Sequence, residues 1–231
     1  MSAIDGPRVS PKSGKAKQLV VFLHGLGADG GDLIELAEHW RDWLPDAAFV
    51  APHAPDRCDG APMGRQWFPL TLQDPAEFWR GVTYAAPLLD AFLDQELARH
   101  GLGPSHLALV GFSQGTMMAL HVGLRRTTPV AGIVGYSGLV VLENGKGPES
   151  LKTQARSRPP ILLTHGDRDD VLPVEMFFYS KEALATAGIP CQWHLSAGLS
   201  HGIDEESLRQ GGLFLTQVFG QPYPASKPGP S

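Results

Sequence analysis

The chain has 231 residues, of which 42% are hydrophobic and 19% charged, a balance that excludes intrinsic disorder and coiled coil. Nineteen basic against 24 acidic residues leave a net charge of −5, so no basic face for nucleic acid is expected. The two cysteines, Cys58 and Cys191, have neither disulfide-framework nor metal-ligand spacing, and no metal is expected. No apolar run approaches the ~18–20 residues of a membrane span, and the N-terminus lacks an apolar signal core. Stable membrane insertion is not expected, and a cytoplasmic location is.

Residues 1–17, rich in Ser, Pro, Gly and Lys, read as a flexible segment. Residues 220–231, with Pro222, Pro224, Pro228 and Pro230, read as a disordered tail. Between them, 18–219 reads as one domain. Apolar runs at 19–23, 47–51, 107–110, 130–134 and 160–163 show no polar alternation, the mark of strands buried on both faces. A more polar run at 192–195 fits a strand nearer an edge. Helical spacing covers about 32–44, 79–100, 174–187 and 204–219, the last with Glu205 and Glu206 at the positive end of its dipole. Alternating β and α of this kind predicts an α/β fold, a mostly parallel sheet with helices on both faces.

Two stretches break the rhythm. Residues 52–78 carry many prolines, which oppose regular structure, yet hold Met63, Trp67, Phe68 and Leu70, which oppose a fully solvated loop. A long loop of this kind reads as a lid-like substrate segment, those four side chains forming an apolar wall for an acyl chain. Residues 138–151 read as a plain connection.

After the first strand, Gly25-Leu26-Gly27-Ala28-Asp29-Gly30 fits G-x-G-x-x-G. The strand at 47–51 ends without the carboxylate that a dinucleotide site needs on the ribose, so a nucleotide-dependent oxidoreductase is disfavoured. Gly111-Phe112-Ser113-Gln114-Gly115 fits G-x-S-x-G between a strand and a helix former. There a strained turn lifts the Ser Oγ above the sheet, at a helix start whose free N–H groups suit an oxyanion. Ser113 is therefore the candidate nucleophile. Among later histidines, only His201 lies after the last strand and on a sheet-top loop, which makes it the candidate base. The loop after the strand at 160–163 offers Asp167, Asp169 and Asp170, and spacing does not choose among them.

Together, His24-Gly25-Leu26-Gly27, Pro52-His53-Ala54-Pro55, Gly111–Gly115, His165-Gly166 with Asp169, and Ser200-His201-Gly202 make the chain resemble the phospholipase/carboxylesterase family of serine hydrolases. The resemblance implies an α/β-hydrolase fold and a triad of Ser113, Asp169 and His201. It also implies oxyanion donors at the N–H groups of Leu26 and Gln114, and no cofactor. A small-molecule ester is the implied partner, with a homodimer by analogy. Many relatives carry Trp, an aromatic and then Asp where this chain has Trp67-Phe68-Pro69. The expected activity is a carboxylesterase for short to medium acyl chains. Alternatives are a lysophospholipase or acyl-protein thioesterase, and, outside catalysis, a small-molecule binder of the same fold.

Overall fold

The computed structural model describes residues 4–58, 60–71, 74 and 76–224. In chain order the elements are β1 (Arg8–Val9), β2 (Gln18–Leu23), α1 (Gly30–Ile34), α2 (Leu36–Trp40), β3 (Ala47–Val50), β4 (Asp56–Cys58), β5 (Ala61–Gln66) and α3 (Ala76–His100). There follow β6 (Leu107–Phe112), α4 (Gln114–Arg125), β7 (Gly132–Tyr136), α5 (Leu151–Gln154), β8 (Ile161–Gly166), α6 (Val174–Thr186), β9 (Cys191–Ser196) and α7 (Glu205–Val218). The main sheet runs β1-β3-β2-β6-β7-β8-β9. All its pairings are parallel except β1 on β3. The polar run at 192–195 does form the edge strand, β9.

Because side chains alternate across a strand, β2 feeds both sides of the sheet. Leu19, Val21 and Leu23 join a core with α3, α4 and α6, while Val20 and Phe22 join another with Trp40, Leu44, Phe214 and Leu215. From β2 the chain first winds one way to β3, and from β6 it winds the other way to β9. The β2/β6 junction is therefore the switch point, where loops leaving the carboxyl ends diverge and open a crevice. The loop after β2 and the turn holding Ser113 flank that crevice.

Four expectations need correction. Residues 4–17 are not a loose segment. β1 pairs Arg8 with Val50 and Val9 with Phe49. Arg8 also forks onto Glu96 of α3, with Nε donating to Oε2 at 3.0 Å and Nη2 to Oε1 at 2.7 Å. The Glu96 side chain is only 2% exposed, so this bidentate partner offsets the cost of burying its charge. Nor is 52–78 irregular throughout. β4 and β5 form an antiparallel ribbon, apart from the main sheet, with a register shift at Arg57/Cys58. Each strand of a two-stranded ribbon is an edge, where the missing N–H of Pro62 is tolerated. The helix expected over 32–44 is two short helices, and β7 lies two residues later than the strand expected at 130–134. The end of the tail, 225–231, lies outside the described residues. Among the described residues no helix is long and apolar enough to cross a membrane.

Candidate active site

Ser113 lies between β6 and α4 with φ 52° and ψ −115°, a left-handed conformation that costs a non-glycine residue energy. Its neighbours hold it there. Ser113 N–H donates to Tyr136 O at 2.9 Å, and Ser113 O accepts from Thr116 N–H at 3.0 Å and Met117 N–H at 3.3 Å. Gly115 packs so closely on β2 that a Cβ would overlap Leu23 O. Together these contacts over-determine the strained turn and hold up the Ser113 side chain.

On the other side of the crevice, the loop after β2 is fixed by a buried histidine. His24 Nδ1–H donates to Gly25 O at 2.7 Å, and Nε2 accepts from Ala54 N–H at 3.0 Å. Burial pushes the His24 imidazole below its ordinary pKa, which favours this neutral, one-donor, one-acceptor form. A Cβ on Gly25 would stand 3.3 Å from Ser113 Cβ, so this loop lies against the nucleophile turn. Leu26 follows directly. Among the described residues neither Leu26 N–H nor Gln114 N–H is spent on a protein acceptor, which leaves both free for a ligand oxygen.

The three aspartates after β8 separate by their partners. Asp169 has a fully buried side chain. Its Oδ1 accepts from Val171 N–H at 2.9 Å and Leu172 N–H at 2.8 Å, and its Oδ2 accepts from His201 Nδ1–H at 2.8 Å. Asp167 instead accepts from Gly198 N–H at 2.6 Å, and Asp170 from Ser200 Oγ–H at 2.7 Å. These two tie down the loop carrying His201, and the Ser200 hydroxyl holds the Asp170 carboxyl below its usual range. The His201 ring lies 5.0 Å from the ring of Phe112, the residue beside Ser113. Among the described residues Ser113 Oγ makes no hydrogen bond to His201, a contact that typically tightens only when substrate binds.

Two of the four residues expected in an acyl wall are not available to line one. Trp67 and Phe68 are wholly buried. Trp67 Nε1–H donates to His24 O at 3.0 Å, and its backbone N–H donates to Gln114 Oε1 at 2.8 Å. Gln114 Nε2 returns a bond to Phe68 O at 2.8 Å. Both rings have no free surface for a substrate and instead clamp residues 66–68 to the roots of the two crevice loops. Met63 is 90% exposed on the ribbon, and Leu70 packs on the core. An open groove of about 260 Å³ lies elsewhere, with Phe78, Leu139, Leu142 and Met176 on its apolar side and Glu143 and Lys146 on its rim. It borders the stretch after β7, where a Cβ on Gly138 would stand 2.8 Å from Ser113 O. The expected plain connection at 138–151 thus supplies much of this groove, for which three successive buried apolar residues, Leu139–Val141, are the sequence signal. Among the described residues no group of His, Cys, Asp and Glu is arranged to hold a metal.

The family profile of phospholipases and carboxylesterases matches residues 4–218. The acyl-protein thioesterase 1 of Gibberella zeae is 28% identical over 221 residues, 90% of this chain and 94% of that protein. Its namesake in Saccharomyces cerevisiae is 30% identical over 194 residues, 78% of this chain and 82% of that one. The solved structure of esterase PE8 is 45% identical, with a TM-score of 0.89 over 94% of this chain and 100% of its own. A profile spanning nearly the whole chain and a strained serine turn at the switch point agree: the chain belongs to the phospholipase/carboxylesterase family and is a serine hydrolase of the α/β-hydrolase fold.

Proposed function

We propose that this enzyme hydrolyses carboxylic esters of short to medium acyl chains through an acyl-enzyme on Ser113. The observation that carries the reading is the 2.8 Å bond from His201 Nδ1–H to Asp169 Oδ2. A carboxylate only accepts, so the proton sits on Nδ1 and Nε2 is left as the base. His201 Nε2 takes the Ser113 proton while Oγ attacks the ester carbonyl. The N–H groups of Leu26 and Gln114 stabilise the oxyanion, each contributing on the order of 3 kcal/mol. The imidazolium then protonates the leaving alcohol, and a water activated by the same imidazole releases the carboxylate. The groove of about 260 Å³ lined by Phe78, Leu139 and Leu142 is the proposed seat of the acyl chain, a reading supported by its place along the stretch that follows β7 and Gly138.

A pre-steady-state burst with p-nitrophenyl butyrate, and labelling of Ser113 alone by a serine-directed phosphonate, are the expected results. Labelling at another serine would overturn the assignment, and binding without turnover would favour the non-catalytic reading. The relatives named acyl-protein thioesterases support a second reading, thioester hydrolysis. A matched panel of oxygen esters and thioesters separates the two by their kcat/KM.

A further inference from the structure

His165, the last residue but one of β8, has no part in the proton relay, yet it touches the relay's acid. Its ring is buried and lies 5.5 Å from the Phe177 ring of α6. Nε2 stands 2.8 Å from Leu172 O and 3.3 Å from Asp169 Oδ2. A carbonyl oxygen can only accept, so Nε2 carries a proton and donates it to Leu172 O, while Asp169 Oδ2 lies beside that N–H as an electrostatic contact. Nδ1 is buried without a partner. A buried polar atom left unpaired is costly, and a purely apolar filler of this space would avoid the cost.

We infer that His165 is a positioning residue: its Nε2–H, bonded to Leu172 O, fixes the loop that holds Asp169, and its dipole beside Oδ2 tempers the carboxylate's pull on the His201 proton. The inference rests on the proposed relay and deepens it. Oδ2 accepts from the His201 imidazole and lies 3.3 Å from His165 Nε2, while Oδ1 is held by two backbone N–H groups. The same Nε2–H also holds Leu172 O and so sets the shape of the acid-bearing loop. Without that N–H dipole beside it, the carboxylate accepts more strongly from His201 Nδ1–H and stabilises the imidazolium more. Asp170 on the same loop, and Lys181 at 5.6 Å from the Phe177 ring, keep their charges in a variant at 165.

The test compares His165→Phe, which keeps the ring beside Phe177 and removes the donor, with His165→Gln, whose amide nitrogen restores one. In His165→Phe, kcat is expected to fall ~10-fold with KM within about twofold, as when a group supporting a reacting residue is lost. The acid limb of its kcat/KM profile moves to higher pH. His165→Gln recovers most of the rate and returns the limb towards wild type. The downfield proton resonance of His201 Nδ1–H, read by NMR without substrate, shifts further downfield in His165→Phe. A wild-type limb and resonance in His165→Phe would overturn the inference, as would equal losses in both variants. Because the resonance needs no turnover, it tests His165 even if Ser113 labelling and ester hydrolysis fail in the wild type, and that failure would count against the proposed function alone.

Discussion

The strain at Ser113 is held by backbone bonds to Tyr136, Thr116 and Met117, none of which uses the serine hydroxyl. Ser113→Ala should therefore keep the wild-type circular dichroism and melting temperature while kcat drops ~10⁴–10⁶-fold. Asp169→Asn should cost on the order of 10⁴ in kcat, since an amide facing Nδ1 favours the wrong imidazole tautomer. Asp167→Asn and Asp170→Asn, measured alongside, should cost about tenfold or less, because their bonds go to Gly198 N–H and Ser200 Oγ–H rather than to the imidazole. Sequence spacing could not separate these three. What distinguishes Asp169 is burial of its carboxylate and its direction, and both come from the turn's bonds to Val171 and Leu172. Ser113 and His201 stand out as candidates for a different reason: a strained strand-to-helix turn and a histidine after the last strand are local patterns.

Within the elements, the Pro-rich stretch shows where legibility ended. An aromatic residue in such a segment looks the same whether it walls a pocket or pins the chain, and Trp67 pins it, through partners at His24 and Gln114 that lie far away in sequence. Trp67→Ala should lower stability by about 3–5 kcal/mol in denaturant unfolding. It should depress kcat/KM by a similar factor for acetate, butyrate and hexanoate esters, because the crevice loops lose a common support. The proposed seat of chain-length discrimination is the segment after β7. Leu142→Trp, which fills the groove, should lower kcat/KM for hexanoate esters by tenfold or more while acetate esters are spared. Each lost methylene contact there is worth ~0.8 kcal/mol, or about fourfold. Equal losses for all esters would place the acyl chain elsewhere. The parallel strands were readable because burial on both faces leaves an unbroken apolar run. β1 was not, since two residues completing an edge carry no periodicity and depend on Arg8 reaching Glu96.

For the molecule as a whole, buried histidines set the acid limit. His121, packed edge-on to Trp79 at 5.5 Å, is pushed by burial from 6.5 down to about 3. His24 is shifted the same way. A histidine whose folded pKa is depressed takes up its proton more readily once unfolded, so stability is whole above pH ~6.5 and is lost as pH falls towards the folded value. The slope is at most about 1.4 kcal/mol per pH unit for each such residue. The melting temperature should fall steadily between pH 6.5 and 4, and His121→Phe, removing an imidazole with an unpartnered Nδ1, should flatten part of that fall. An unchanged slope in the variant would show that other groups govern acid unfolding.

The ribbon of β4 and β5 has a consequence for how this enzyme could be reshaped. It is joined to the loop after β2 through main-chain atoms: Gly27 N–H donates to Arg65 O at 2.9 Å and Arg65 N–H to Ala28 O at 2.7 Å. Gly64 lies so close that a Cβ would overlap Gly27 O. The alignment of the proposed Leu26 donor thus depends on the ribbon's backbone and on one small residue, while outward side chains such as Met63 and Arg57 take no part in it. Those positions are open to wholesale replacement. A library varied at Met63 and Arg57, with Gly64 kept, could search for new alcohol or headgroup preferences while leaving the chemical step untouched.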